Sequence, residues 1–320
     1  MVKLLCGCYG KQPGVAFLSI ENNKLVLTDF VLTKSAVTHL LVHDNKIYAT
    51  AKHSGENPGG VGYLNQNGWQ DFLVTPGVDY AHFDLSSDSR YLIAGSFHQG
   101  ILSSFDLLTP ELKLRDTLQH QGHSIHPTRQ QSSHIHFVKR LEDKRIAAVD
   151  LGLDAIFFYR LNQGRLDYQG QMTLSAGSGP RQVALFEGQP LAFVAHEINN
   201  TITICDTRKP FWTAMSSVSS LPDDFTGDSS LAAIKWQERE GELYVSNRGY
   251  DSVVCYRFDD NQLSNPRFIT TAAQPRDIFV IEDYLLAACQ SGGVLQLFER
   301  HSGKLLDHLS LQEPVVIIAA

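Results

Sequence analysis

The sequence predicts an all-β fold, a seven-bladed β-propeller of four-stranded antiparallel blades, on three observations. One strand-like run recurs seven times. Its copies are spaced by roughly 40 to 55 residues, the period of propeller blades. The one strand that the N-terminal copy lacks is found at the C-terminus.

The recurring run is clearest at Leu243–Phe258, LYVSNRGYDSVVCYRF. A short apolar strand ends in polar residues, a turn carrying Gly249 and Asp251 follows, and an alternating strand comes back. β-Branched and aromatic residues at period two, bounded by turn formers, read as a β-hairpin. The other copies of its first strand are Leu4–Tyr9, Ile47–Lys52, Leu92–Phe97, Ile146–Leu151, Ala192–Glu197 and Leu285–Gln290. Each copy has a partner strand after it, such as Ala155–Leu161, Thr201–Cys205 and Ser252–Phe258. Six copies have a strand before them: Ala36–Val42, Tyr80–Leu85, Ser133–Val138, Pro180–Leu185, Leu231–Trp236 and Pro275–Ile281. The seventh is Pro314–Ile318. A chain terminus frays unless a sheet holds it, so this strand is expected to complete the N-terminal blade and close the ring. Gln119–Ser132 and Phe211–Ser230 read as irregular insertions, and long loops in compact folds are often functional. With no linker or break in composition, residues 1–320 are expected to form a single propeller domain.

Composition narrows the function. Hydrophobic residues make up 43% of the chain, enough for a core, and the net charge of -7 is interspersed. A nucleic-acid binder would carry a basic stripe, so that class is disfavoured. No run approaches membrane-spanning length, and the N-terminal MVKLLCGCYG has no apolar stretch of signal-peptide length. The five cysteines, Cys6, Cys8, Cys205, Cys255 and Cys289, are odd in number and mostly lie in apolar runs. They read as buried reduced thiols, and a cytoplasmic location is expected.

Propeller topology brings the start of each upstream strand and the end of the next strand to one rim. Lys52, His53, His98, His134, His136, Asp150, Arg181, Glu197, Asn247, Arg248 and Arg276 fall there. Alternation puts His134 and His136 on one strand face. Neighbouring blades add Gly179-Pro180-Arg181, His196-Glu197 and Asn247-Arg248. Histidine is the natural general base at neutral pH; arginine clamps a carboxylate or phosphate and stabilises a developing oxyanion. This set suits acyl-oxygen chemistry on an anionic substrate, with either histidine as base. Each residue also has a structural reading: a histidine filling the wall, a Glu197–Arg248 ion pair between blades, an arginine positioning a loop. No cofactor or metal is expected. His123-x-x-His126 lies in a loop with no helix to fix it and no cysteine nearby, and His196-Glu197 does not continue as a zinc-binding helix.

Several motifs in order resemble the seven-bladed lactonase family, which includes bacterial propeller-type 6-phosphogluconolactonases and fungal carboxymuconate-lactonizing enzymes. They are Arg129-Gln130 leading into His134-Ile135-His136, the run Val149–Asp154, and Gly179-Pro180-Arg181 leading to Glu197–Thr201. Leu243–Gly249 with Asp251-Ser252, and Gln274-Pro275-Arg276 with Ala287–Ser291, continue the series. Phe97-His98-Gln99-Gly100 resembles the family's Tyr-His-Gly-Gly turn with two departures. The resemblance spans nearly the whole chain. It implies a pocket with a His, two Arg and a Glu, matched here by His134 or His136, Arg181, Arg248 and Glu197. His98, Arg129, Gln130, Asn247 and Arg276 are expected to contact the substrate. The expected function is hydrolysis of a sugar lactone, first of all 6-phosphogluconolactone of the pentose phosphate pathway. A lactonizing cyclase and a non-catalytic binding propeller are the alternatives.

Overall fold

The computed structural model describes residues 2–108, 111–186 and 188–320. The described residues form strands and no helix. β1 (Val2–Cys8), β2 (Gly14–Glu21) and β3 (Lys24–Leu32) begin the first sheet. The second is β4 (Ala36–His43), β5 (Lys46–Lys52), β6 (Gly60–Asn65) and β7 (Gly68–Val74). The third is β8 (Tyr80–Leu85), β9 (Tyr91–Ser96), β10 (Ile101–Asp106) and β11 (Lys113–Gln119). The fourth is β12 (Ile135–Arg140), β13 (Ile146–Asp150), β14 (Ala155–Asn162) and β15 (Arg165–Thr173). The fifth is β16 (Pro180–Phe186), β17 (Leu191–His196), β18 (Thr201–Asp206) and β19 (Thr213–Ser219). The sixth is β20 (Ser230–Gln237), β21 (Glu242–Arg248), β22 (Ser252–Asp259) and β23 (Gln262–Thr270). The seventh is β24 (Pro275–Ile281), β25 (Tyr284–Cys289), β26 (Val294–Glu299) and β27 (Leu305–Ser310). The last strand, β28 (Pro314–Ala319), does not stay with the seventh sheet.

Each sheet has four strands in sequence order, except that the first runs β28-β1-β2-β3. β28 lies antiparallel to β1, with Leu4 opposite Ala319 and Cys6 opposite Ile317. The expected fold class is therefore observed: all-β, seven four-stranded antiparallel blades, with the C-terminal strand in the N-terminal blade. The expectation of an irregular Phe211–Ser230 is corrected. β19 runs through it, and its Ser-rich, almost wholly exposed sequence carries no apolar alternation to reveal it.

By contacts the chain forms two compact units. One comprises Met1–Leu32, Gln182–Arg208 and Ala214–Ala320; the other comprises Thr33–Arg181 and Lys209–Thr213. In both, the core is built between neighbouring sheets. In the first unit Leu4, Leu18, Leu286, Leu297 and Ile317 pack together, as do Phe193, Ile204, Leu231, Val245 and Tyr256. In the second, Ile93, Leu102, Ile135, Val138 and Ile146 pack together. Polar side chains add a latch from one sheet to the next. Asp71 accepts from Leu112 N, Asp116 from Leu166 N, and Asp307 from Leu25 N, at 2.8–2.9 Å. On the opening strands Asp84 accepts from Arg140 N, Gln182 Oε1 from Ile234 N, and Asp277 from Ile317 N, at 2.9–3.0 Å.

The opening strands share a second feature that matters for the site. Register shifts fall between Val37 and His39, Tyr80 and His82, Ile135 and Phe137, and Pro275 and Asp277. One extra residue sits at each: Thr38, Ala81, His136 and Arg276. Such a bulge leaves its residue outside the ladder and re-aims its side chain. Two candidate site residues, His136 and Arg276, thus occupy bulges.

Candidate active-site residues

In the second unit the candidates gather around Phe97, in the turn that follows β9. The ring of His134 stacks on Phe97 with centroids 4.6 Å apart, and His136 meets the same ring edge-on at 5.6 Å. His98 meets it edge-on at 5.3 Å. His134 and His136 do come together as expected, but strict alternation is not the cause. His134 precedes β12, His136 is its bulge, and Phe97 collects both.

His134 is held at two points. Its backbone N–H donates to Asp150 Oδ1 at 2.8 Å, and its Nδ1 lies 2.7 Å from the carbonyl oxygen of Phe97. A carbonyl can only accept, so Nδ1 carries the proton in neutral His134 and the lone pair lies on Nε2. Nε2 makes no hydrogen bond among the described residues. An oriented imidazole with an available lone pair is what a general base requires.

The support beneath it is a buried carboxylate hub. Asp150 is fully buried at the end of β13. It accepts from Ser133 Oγ at 2.6 Å, from Gly152 N at 3.0 Å, and from His120 Nδ1 at 2.7 Å. His120 Nε2 in turn lies 2.8 Å from the Tyr159 hydroxyl, and burial raises the pKa of that phenol. The Tyr159 hydroxyl therefore stays protonated and donates. His120 is part of this support, and His126 is spent inside its loop, its Nδ1 accepting from Arg129 N at 3.1 Å. Gly152 has no room for a Cβ, which would overlap the Ser132 carbonyl.

Asp154, four residues on, does the same for Arg181. It accepts from Gly177 N and Gly179 N at 2.7 Å each, and from Ser178 Oγ at 3.0 Å. This fixes the segment that delivers Pro180-Arg181, and Arg181 is 3% exposed. Asp154 has φ of 50°, and the matching turn residues Asn200, Asp251, Gly100 and Gly293 have 55°, 49°, 61° and 63°. Only Gly, Asn and Asp take the left-handed conformation readily. Asn and Asp add a side chain that reaches the next segment: Asn200 donates to Ser229 O, and Asp251 accepts from Gln274 N.

In the first unit, Arg248 Nη2 donates to Glu197 Oε2 at 2.9 Å. Both side chains are nearly buried, so the pair is a desolvated one in which Glu197 fixes the guanidinium. Arg276 lies over the Tyr9 ring at 5.6 Å, with Nη1 3.4 Å from Gln290 Oε1.

Two expected substrate contacts are corrected. Gln130 is fully buried; its amide donates to Leu151 O at 2.8 Å and its Oε1 accepts from His126 N at 3.2 Å. Asn247 is likewise fully buried, exchanging hydrogen bonds with Ser220 through O and Oγ at 2.8 and 2.7 Å. Both brace loops. Arg129 is half-buried on the same loop as Gln130. Phe97 was not among the expected site residues, although its place at a strand end ahead of His98 was a signal. Asp150 was placed on the rim and in a motif but not among the candidate site residues; an acid ending a wholly apolar strand marks a buried acceptor.

The match to a family model decides the kinship. Residues 3–318 match the model described as "Lactonase, 7-bladed beta-propeller". The chain belongs to this family. An uncharacterized Staphylococcus aureus protein is 28% identical, with 93% of each chain covered. A Lactobacillus plantarum protein of solved structure superposes with a TM-score of 0.91 at 26% identity, covering 100% of this chain and 99% of that one. A Pseudomonas aeruginosa periplasmic gluconolactonase gives a TM-score of 0.91 at 21% identity with the same coverage, a likeness of fold. As a lactonase-family propeller, the protein is a candidate for a small lactone substrate.

Proposed function

We propose that the protein hydrolyses a sugar lactone, 6-phosphogluconolactone in the first instance, to the open-chain acid. The observation that supports this most directly is His134: Nδ1 committed to the Phe97 carbonyl, Nε2 with its lone pair available. In the proposed reaction a water attacks the lactone carbonyl while His134 Nε2 takes its proton. The tetrahedral intermediate then expels the ring oxygen, which recovers that proton from the imidazolium. Arg181 is proposed, on residue type, to hold the anionic substrate and the oxyanion, and Glu197 keeps Arg248 oriented. The cytoplasm is the proposed setting, in keeping with five free and buried cysteines. Burial pushes two of their thiols, Cys205 and Cys289, up to about 12.

The test is hydrolysis of freshly made lactone by purified protein, followed by acid release against the spontaneous rate. Turnover well above that rate, lost in Arg181→Ala, supports the reading. A wild-type rate equal to the spontaneous one rejects it.

A further inference from the structure

Arg276 is presented by a segment that the fold holds against its local preference. It is the bulged residue at the start of β24, outside the ladder that β24 makes with β25. Gln274, two residues before it, has φ of 60°. Glutamine rarely takes that left-handed conformation, and a residue preceding proline is steered toward extended backbone. Blade five has Gly179 at the corresponding place, ahead of Pro180-Arg181, with φ of 65°. Gln274 is kept there from both sides. Its N–H donates to Asp251 Oδ1 at 2.8 Å, and its carbonyl accepts from Gln290 N at 2.9 Å. Backbone held in a sparsely populated region gathers at sites where it positions a functional group. Here the group so positioned is the Arg276 side chain.

Its guanidinium is half-buried and lies over the ring of the buried Tyr9, 5.6 Å from the centroid. Nη1 makes one long hydrogen bond, 3.4 Å to Gln290 Oε1. Nε and Nη2 make none among the described residues, and no carboxylate among them lies within ion-pair distance. Arg248 and Arg300, in the same unit, each face a carboxylate, Glu197 at 2.9 Å and Glu240 at 3.1 Å. Asp277, next in the chain, faces Ile317 N and Lys235 Nζ instead. Asp251 accepts from the backbone of Gly249 and Gln274. Gln290 turns its Oε1 to Arg276 and its Nε2 to Glu313, which is exposed to water. A guanidinium backed by an aromatic ring and met by an amide oxygen at Nη1 presents its other edge, Nε with Nη2, as a planar pair of donors. That fork matches two oxygens of a carboxylate or a phosphate.

We propose that Arg276 is an oxyanion-recognition residue, whose Nε–Nη2 edge takes the carboxylate or phosphate of an anionic sugar side-on. Tyr9 and Gln290 set its orientation. That the sugar is the lactone or its product rests on the lactonase reading; the oxyanion chemistry does not.

Equilibrium binding tests the proposal without turnover. Calorimetry with 6-phosphogluconate, gluconate, glucose 6-phosphate and inorganic phosphate is run on the wild type, Arg276→Ala and Arg276→Lys. Arg276→Ala should bind 6-phosphogluconate roughly 10- to 100-fold more weakly than the wild type, the range of one or two charge-assisted hydrogen bonds. Arg276→Lys keeps the charge and the stem over Tyr9 but not the fork, and should fall between the two. It carries the test alone if the alanine variant does not fold. Gluconate and glucose 6-phosphate separate the two oxyanions: whichever weakens in Arg276→Ala carries the group that Arg276 holds. A wild type that binds none of the three sugars overturns the proposal, as does either variant binding 6-phosphogluconate as tightly as the wild type. A loss confined to inorganic phosphate overturns it too, since the residue would then serve a free ion. Lactone turnover measured in parallel separates the two readings. Turnover without Arg276-dependent binding removes only the oxyanion site; Arg276-dependent binding without turnover removes only the lactonase.

Discussion

His134 is the residue on which the chemistry turns, and its variant is correspondingly sharp. His134→Gln can still donate to the Phe97 carbonyl but has no basic nitrogen where Nε2 stood. The lactone kcat should fall by about 10²- to 10⁴-fold, the usual contribution of a general base, with a melting temperature near that of wild type. His98 offers a test by titration. Its pKa is lowered in the fold, so the folded protein resists protonating it. The stability tied to this group is present above its unfolded pKa and is lost as pH falls toward the folded one. In NMR, its ring protons should titrate at a lower pH than those of an unstructured histidine. The midpoint should move up in Lys52→Ala, which removes one of the charges that lower it. A midpoint unmoved by that substitution would mean that Lys52 does not act on His98.

At the scale of elements, the turns after β13, β17 and β21 do more than reverse the chain. Asp150, at the end of β13, receives the His120, Ser133 and Gly152 donors together with His134 N–H. Asp150→Ala leaves all of them buried and unpaired. Unfolding in urea should show a loss of about 3–5 kcal/mol, in the range for breaking a buried charged network. Asp154 combines a left-handed backbone with a latch to Gly177 and Gly179. Asp154→Gly keeps the conformation and loses the latch; Asp154→Ala loses both. The alanine variant should be the less stable by about 1 kcal/mol, the extra being the left-handed strain. Equal stabilities in a urea series would remove the conformational part of the account.

At the scale of the whole chain, β28 is the strand that joins its two ends into one sheet. Val315, Val316 and Ile317 are buried in that pairing, and Ile317 N donates to Asp277. Burying such side chains contributes about 1.5–3 kcal/mol each. A chain ending at Gln312 should therefore lose on the order of 5 kcal/mol, a large part of a typical domain's stability. Circular dichroism on heating should show a much lower or absent transition; a melt like that of the full chain would show that the closure is not needed.

The strands at the heart of each blade were legible because both faces are buried, and such burial imposes short continuous apolar runs. The outermost strands were not. β11, β19 and their equivalents are largely exposed, so their residues are free to vary and β19 passed for an irregular insertion. The missing N-terminal partner was legible as well, because an unpaired strand has to find hydrogen bonds somewhere. The site divided along the same line. Residue type alone pointed to His134, Arg181, Glu197 and Arg248, and it pointed equally to Gln130 and Asn247. What separates them is where their polar atoms end. Gln130 meets the Leu151 carbonyl and Asn247 meets Ser220, while His134 gives Nδ1 to Phe97 and keeps Nε2. Those partners lie 21, 27 and 37 residues away. The sequence by itself determined the blades, since an apolar run is a local property that folding must respect. Only the tertiary structure decided which polar strand ends are braced and which remain available, because a hydrogen bond depends on a partner that another blade supplies.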